Sequence, residues 1–235
     1  MRAATIYTGG ALKLYANALS EIAYQRTGAS PAIAANENAG ILNDSEFNTL
    51  KESIDDKNTE VASDFGIKDV DIVGTEPTNL METANAAGDN DEGKLAVALA
   101  AVSQIDANAP NKSTTNIISE LVENKDITKT VKDALNTLKD SDDARQEVKA
   151  NIETVAAAVQ ISLTAIETAV NTIRTADATT LTIGTYIAAG IIFDEEYLAK
   201  VNAAFLLTQA EDKDTIGKIR DIVNSVVFEI TIGDP

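Results

Sequence analysis

Apolar side chains recur at steps of three and four along most of this chain, a spacing that predicts helices. Leu12, Tyr15, Leu19 and Ile22 mark one helical face over residues 11–26, with Gly28 as its stop. The small, polar stretch from Ala29 to Gly40, which contains Pro31, reads as a loop or a short helix. A second helix begins at Asn43 or Asp44, either of which can cap it. Its stripe is Phe47, Leu50, Ile54, Val61 and Phe65, and Gly66 closes it. Residues 67–79 roughly alternate apolar and polar side chains, which predicts an extended segment ending in a turn at Pro77.

Beyond a short helix over 80–87 and the loop Gly88–Gly93, Leu95, Leu99, Val102 and Ile105 mark an alanine-rich helix. It is apolar nearly all round, so a central place in the core is expected. Pro110 breaks the chain. Two helices follow, one with Ile117, Ile118, Leu121 and Val122, the next with Ile127, Val131, Leu135 and Leu138. The longest pattern runs from about 143 to 175 on Val148, Ile152, Val155, Val159, Leu163, Ile166, Val170 and Ile173. Ser141 is its expected N-cap, and Asp142 and Asp143 suit the positive end of the helix dipole. Such a stripe fits a coiled-coil seam or, preferably, the core face of a bundle helix.

The threonine-rich break at 176–183 suggests a boundary, dividing the chain into a helical bundle over 1–176 and a C-terminal helical unit over 177–235. Val226–Ile232 is β-branched and partly alternating, which predicts a strand, and Gly233-Asp234-Pro235 ends it as a linker would. Ile6-Tyr7 is similarly strand-like. The expected fold is all-α, a multi-helix bundle with minor β-strand segments at the termini.

Composition narrows the functions. Cysteine, histidine and tryptophan are absent, which removes disulfides, thiolate metal sites, the usual general base and the commonest metal ligand. Aromatics are only 4% of residues, so the core must be built of Ala, Leu, Ile and Val. The net charge of −18 argues against nucleic acid and anionic lipid, both of which need a basic footprint. No run of apolar residues is long enough to predict a membrane span, so membrane insertion is not expected. The start, Met1-Arg2-Ala3-Ala4-Thr5-Ile6-Tyr7, lacks the apolar stretch of a signal peptide, as expected of a protein that stays inside or of a piece whose signal lies elsewhere.

Few groups invite chemistry. Asp89-Asn90-Asp91-Glu92-Gly93 offers clustered oxygen ligands, but the twelfth position of an EF-hand loop counted from Asp89 is Ala100, so the motif fails and a solvated loop is expected. Glu211-Asp212-Lys213-Asp214 is more simply a helix cap at Asp212 or Asp214. Gly9-Gly10 lacks the lysine pattern of a phosphate loop and reads as a joint. Asp55-Asp56 and Asp142-Asp143 are adjacent in sequence and diverge on a helix surface, unlike a glycosidase pair. Tyr7, Tyr15 and Tyr24 could line a sugar or peptide groove, with packing the simpler role. No catalytic, metal or cofactor residue is therefore assigned, and no cofactor is expected.

Residues 180–226 carry a resemblance. They read Thr180-Leu181-Thr182, Tyr186, Ala189-Gly190, then Leu198-Ala199-Lys200-Val201-Asn202-Ala203-Ala204, Asp214-Thr215 and Ile219-Arg220-Asp221-Ile222-Val223. This resembles a short helical repeat of very large bacterial extracellular proteins, the adhesins and biofilm-type surface proteins. Weaker matches lie at 18–25, 64–67, 69–72 and 99–104. The run 191–196 departs from the pattern, being bulky where the repeat has small residues and glycine. The resemblance implies a non-catalytic spacer, display or adhesive module on the bacterial surface or outside the cell. Its partners would be neighbouring modules of the same chain, other copies of it, or a host or matrix ligand. Three alternatives stay open: a filament or surface-layer subunit pairing through the terminal strand, a sugar- or peptide-binding adhesin domain, and, least favoured by the missing histidine and cysteine, a carboxylate-based enzyme that would need two facing carboxylates in a pocket. Within the repeat, Leu181, Tyr186, Leu198, Val201, Ile219 and Ile222 are expected to pack together, with Asn202 bonded to a neighbouring loop.

Overall fold

The structure is a computed structural model that describes residues 1, 3, 13–27, 44–80, 90–124, 126–140, 146–176 and 180–233. Among these the chain forms α-helices and no strand. They are α1 (Ala18–Arg26), α2 (Asp44–Asp64), α3 (Asp91–Ala107), α4 (Thr114–Glu123), α5 (Ile127–Asp140), α6 (Gln146–Thr175), α7 (Ile183–Ala188), α8 (Leu198–Leu207) and α9 (Ile216–Gly233). Single 3-10 turns at Glu195–Tyr197 and Ala210–Lys213 precede α8 and α9. None of the described helices is long and apolar enough to cross a membrane.

Side-chain caps set several of the starts. The Asn17 side chain accepts from the Ser20 amide at 3.0 Å and the Ser20 hydroxyl accepts from the Asn17 amide at 2.9 Å, a reciprocal cap that starts α1 at Ala18. The helix expected from residue 11 is thus shorter, and Tyr15 lies before it. Asn90 caps α3 through the Gly93 amide at 2.9 Å, and Ser113 caps α4. The expected short helix at 80–87 lies almost wholly outside the described residues, as do the proposed cap Ser141 and the strand-like Ile6-Tyr7.

Two apolar cores share one long helix. The first gathers Leu19 and Ile22 of α1, Val61 and Phe65 at the end of α2, and Leu95, Val97 and Ala98 of α3. Ile117 and Leu121 of α4, Val131 and Leu135 of α5, and Ile152 to Leu163 of α6 complete it. Helix α3 touches α1, α4, α5 and α6, the central place its all-round apolarity foretold. The second core gathers Ile166, Val170 and Ile173 of α6 with Leu181, Tyr186 of α7, Val201 and Phe205 of α8, and Ile216, Ile219 and Val223 of α9. The α6 stripe is therefore a bundle face that serves both cores: Ile152, Ala156, Val159 and Leu163 face the first, Ile166, Ala169, Val170 and Ile173 the second.

Two extended readings are corrected. Residues 226–232 are helical, as the last turns of α9. Val226 and Val227 continue the stripe of Ile216, Ile219 and Val223 at steps of three and four against the second core. Packing of that stripe outweighs the β preference of branched side chains, which is weak and dependent on context. Residues 67–74 form successive turns. Asp71 Oδ1 accepts from the amides of Val73 (3.1 Å) and Gly74 (2.9 Å), while Ile67, Val70, Ile72 and Val73 face the core. The segment is pinned to the residues before α1 by the Tyr15 amide on the Val73 carbonyl (2.9 Å) and the Asn17 amide group on the Ile72 carbonyl (2.8 Å).

Gly66 ends α2 in the left-handed region at φ 74°. A Cβ there would stand 2.8 Å from the Val159 carbonyl oxygen, so glycine also lets α6 pass closely.

Candidate functional site

Four charged side chains meet where the two cores adjoin. Glu60 and Asp64 sit four residues apart on the last turns of α2, hence on one face. Arg26 comes from the last turn of α1 and Arg220 from α9. Arg26 Nη1 lies 2.8 Å from Glu60 Oε1 and 2.6 Å from Asp64 Oδ2. Arg220 Nη1 lies 2.7 Å from Asp64 Oδ1, off a hydrogen-bond line, and 3.3 Å from Glu60 Oε1. Lys57 adds a contact to Glu60 Oε2 at 2.6 Å. The guanidiniums also donate to backbone, Arg26 to Leu121 at 3.4 Å and Arg220 to Gly190 at 3.2 Å.

Both arginine side chains are 9% exposed and that of Asp64 is fully buried. Charges removed from water this far cost several kcal/mol each unless they are paired, and here each acid faces two guanidiniums. Burial by itself would push the Glu60 carboxyl up, but Arg220, Lys57 and Arg26 together hold it below the usual carboxylate range. For Arg26 burial opposes the charge, and Asp64 and Glu60 more than restore it. Glu60 thus stays ionised and is badly suited to give up a proton near neutral pH.

A cleft of about 410 Å³ opens beside this network. Glu52, Asp56 and Glu60 form one wall along α2, with Ile191, Ile192 and Arg220 opposite. Burial is the main reason the Asp56 carboxyl is raised; Lys57 opposes it, and Glu52, Asp55 and Glu60 reinforce it. Asp55 turns away and pairs with Lys51 at 2.6 Å, so the two adjacent acids diverge as expected.

The other sequence candidates are scattered. Asp89 lies outside the described residues; Asn90 is a cap, and Asp91 and Glu92 form the first turn of α3. Gly9-Gly10, Asp142-Asp143 and Tyr7 also lie outside. Tyr15 donates to Glu76 at 2.6 Å, whose carboxylate also meets Lys13 at 2.9 Å. Neither Tyr15 nor Tyr24 lines the cleft. The cap before α9 is at Thr215, whose hydroxyl accepts from the Lys218 amide at 3.4 Å; Asp214 instead pairs with Lys218 Nζ at 2.8 Å. Among the described residues no three or more acidic side chains gather into a set that could hold a metal ion.

Asn202 does what its place on an apolar helix suggested. Its Oδ1 accepts from the Tyr186 hydroxyl at 2.8 Å and its Nδ2 donates to the Leu181 carbonyl at 3.0 Å. Tyr186 is fully buried, with Phe193 edge-on at 5.1 Å and Phe205 at 5.8 Å. The network at Arg220 could not be read from sequence, because its partners are separated by up to 194 positions; the one local sign was the Glu60/Asp64 spacing.

Fold and site together define an all-α bundle whose two cores are joined by a shared helix and a buried ion-pair cluster. No family model, curated protein or solved structure matches the chain.

Proposed function

We propose that this chain is a non-catalytic structural module of a bacterial cell-surface or secreted protein, a stiff spacer or display segment between other modules. The observation that carries this reading is the double coupling of the two cores. Helix α6, 30 residues and about 45 Å long at ~1.5 Å per residue, contributes side chains to both. The Arg26–Glu60–Asp64–Arg220 cluster ties α1 and α2 to α9 across the same junction. A module coupled in this way unfolds as one unit and keeps a fixed length under load. The acidic surface favours repulsion between neighbouring copies and keeps them apart. The bacterial and extracellular assignment rests on the sequence resemblance at 180–226.

Force spectroscopy on a tandem of this chain between marker domains tests the reading. One unfolding event per copy, releasing the whole contour length, is expected. Two separate events per copy, or extension without a barrier, would remove it.

A second reading, a sugar-binding adhesin domain, is favoured by the cleft. Carboxylates, an arginine and two isoleucines in one lining can serve the hydroxyls and the apolar face of a sugar ring. Shifts of the Ile191 and Ile192 methyl signals on titration with neutral mono- and disaccharides would support it, and unchanged spectra would end it. The filament alternative loses its basis, because the segment it would pair is helical.

A further inference from the structure

The outer face of α6 carries no charge over most of its length. Ala157, Ile161, Thr164, Ala165, Thr168 and Thr172 are all exposed there, Ile161 to 72%. They recur at steps of three and four, on the side away from the stripe that fills the two cores. Between Glu153 and Arg174 the sequence holds one charged residue, Glu167, and its carboxylate meets Lys132 of α5 at 2.6 Å. In a chain of net charge −18 an exposed strip of this kind stands out.

The threonines make the strip more apolar than their type suggests. The hydroxyls of Thr164, Thr168 and Thr172 donate to the carbonyls of Gln160, Thr164 and Thr168 at 2.8, 2.8 and 2.9 Å. Paired within the helix, they can be covered without losing a hydrogen bond, and what they offer a partner is methyl surface. The ends of the strip say which partner. Glu153 and Asn171 are five whole turns apart at about 3.6 residues per turn, hence on one edge. Arg174 Nη2 donates to Asn171 Oδ1 at 2.7 Å, which holds the guanidinium at that same edge. The strip therefore has an exposed acid at one end and an exposed base at the other. A two-fold axis across its middle reverses the helix and keeps the edge, so it sets Glu153 of each copy against Arg174 of the other. The same operation lays Ile161 of each copy on Ala165 of the other, and Ala157 on Thr168, larger side chain against smaller.

We propose that this face is where two copies of the chain meet, with α6 of one antiparallel to α6 of the other. Repulsion between the acidic surfaces elsewhere restricts the meeting to a face with no carboxylate inside it. At a shallow crossing angle of about 20° the two helices stay in contact over the ~24 Å from Ala157 to Thr172. One helix face about 10 Å wide covers well under the ~800 Å² per partner of a stable complex, so the pair is weak and reversible. It forms where the local concentration of copies is high. The pairing stands apart from the spacer reading, since a spacer that stays single is still a spacer.

The test is sedimentation equilibrium of the whole chain at neutral pH and moderate salt, over a rising concentration series. A monomer–dimer equilibrium with a dissociation constant on the order of 0.1–1 mM is expected. Ile161→Glu puts a carboxylate in the middle of the strip and should weaken the pair about tenfold or more. The melting temperature of the dilute monomer should not change, because Ile161 is exposed. The end charges report the direction of pairing. Glu153→Arg and Arg174→Glu should each weaken self-association, by setting like charges together at both ends. An equimolar mixture of these two variants restores both opposite pairs and should associate more tightly than either variant alone. Net repulsion cannot mimic that result, because the mixed pair carries a total charge between those of the two self-pairs. A chain that stays monomeric through the series, an association indifferent to Ile161→Glu, or a mixture no tighter than both variants would each overturn the proposal. A monomer whose melting temperature falls with Ile161→Glu would overturn it too, by showing the face covered within its own chain.

Discussion

Replacing Asp64 by asparagine removes one charge from the junction and almost no volume. Arg26 Nη1 at 2.6 Å and Arg220 Nη1 at 2.7 Å would then share Glu60 alone, with Lys57 already on its other oxygen. Breaking a buried pair by neutralising one partner costs about 3–5 kcal/mol, because a charge stays buried without compensation. Glu60 still faces both guanidiniums, so the lower end, about 3 kcal/mol, is expected. For a chain of this size each kcal/mol moves the melting temperature by about 2–4 °C, giving a fall of about 6–12 °C. Urea unfolding at pH 7, followed by circular dichroism, measures the free energy, and a thermal scan gives the shift. Adding Arg220→Met to Asp64→Asn should recover some of the loss, since the second change removes one unpaired guanidinium. A loss below about 1 kcal/mol, or a double variant whose loss is the sum of the single ones, would refute the claim that these groups act as one coupled cluster.

Three further outcomes follow from local geometry. Gly66→Ala should cost about 2–4 kcal/mol by urea unfolding, because the left-handed backbone and the 2.8 Å approach to the Val159 carbonyl both resist a Cβ. Asn202→Ala should cost about 2 kcal/mol by leaving the Tyr186 hydroxyl and the Leu181 carbonyl unpaired, and adding Tyr186→Phe should recover some of it in the same assay. Glu60, whose folded pKa is lowered, binds fewer protons than in the unfolded chain, so its contribution is present above the ordinary glutamate range and lost as pH falls through its folded value. Melting scans from neutral to acid pH should therefore show a decline that is smaller in Glu60→Gln.

Much of the helical plan was legible in the chain itself. The stripes of α2, α3, α4, α5 and α6 lie at steps of three and four, and a helix must bury such a face. Asn202 was legible too, because a single amide on an apolar helix needs a partner wherever the fold takes it. Local pattern misread 226–232, since both helix and strand suit branched residues and only the packing surface chooses, and 67–74, where the Asp71 carboxylate folds the segment into turns. In α9 that surface is the second core, which Val226 and Val227 meet only with the rest of the stripe in place. The start of α1 is set by Asn17 and Ser20, a short-range signal masked in the sequence by the helical spacing of the apolar Leu12 and Tyr15. What only the tertiary structure decided is which charges are buried. Arg26, Glu60, Asp64 and Arg220 look like ordinary surface charges in sequence. A charge gains its role from what excludes water around it, and that is fixed by elements brought together from opposite ends of the chain.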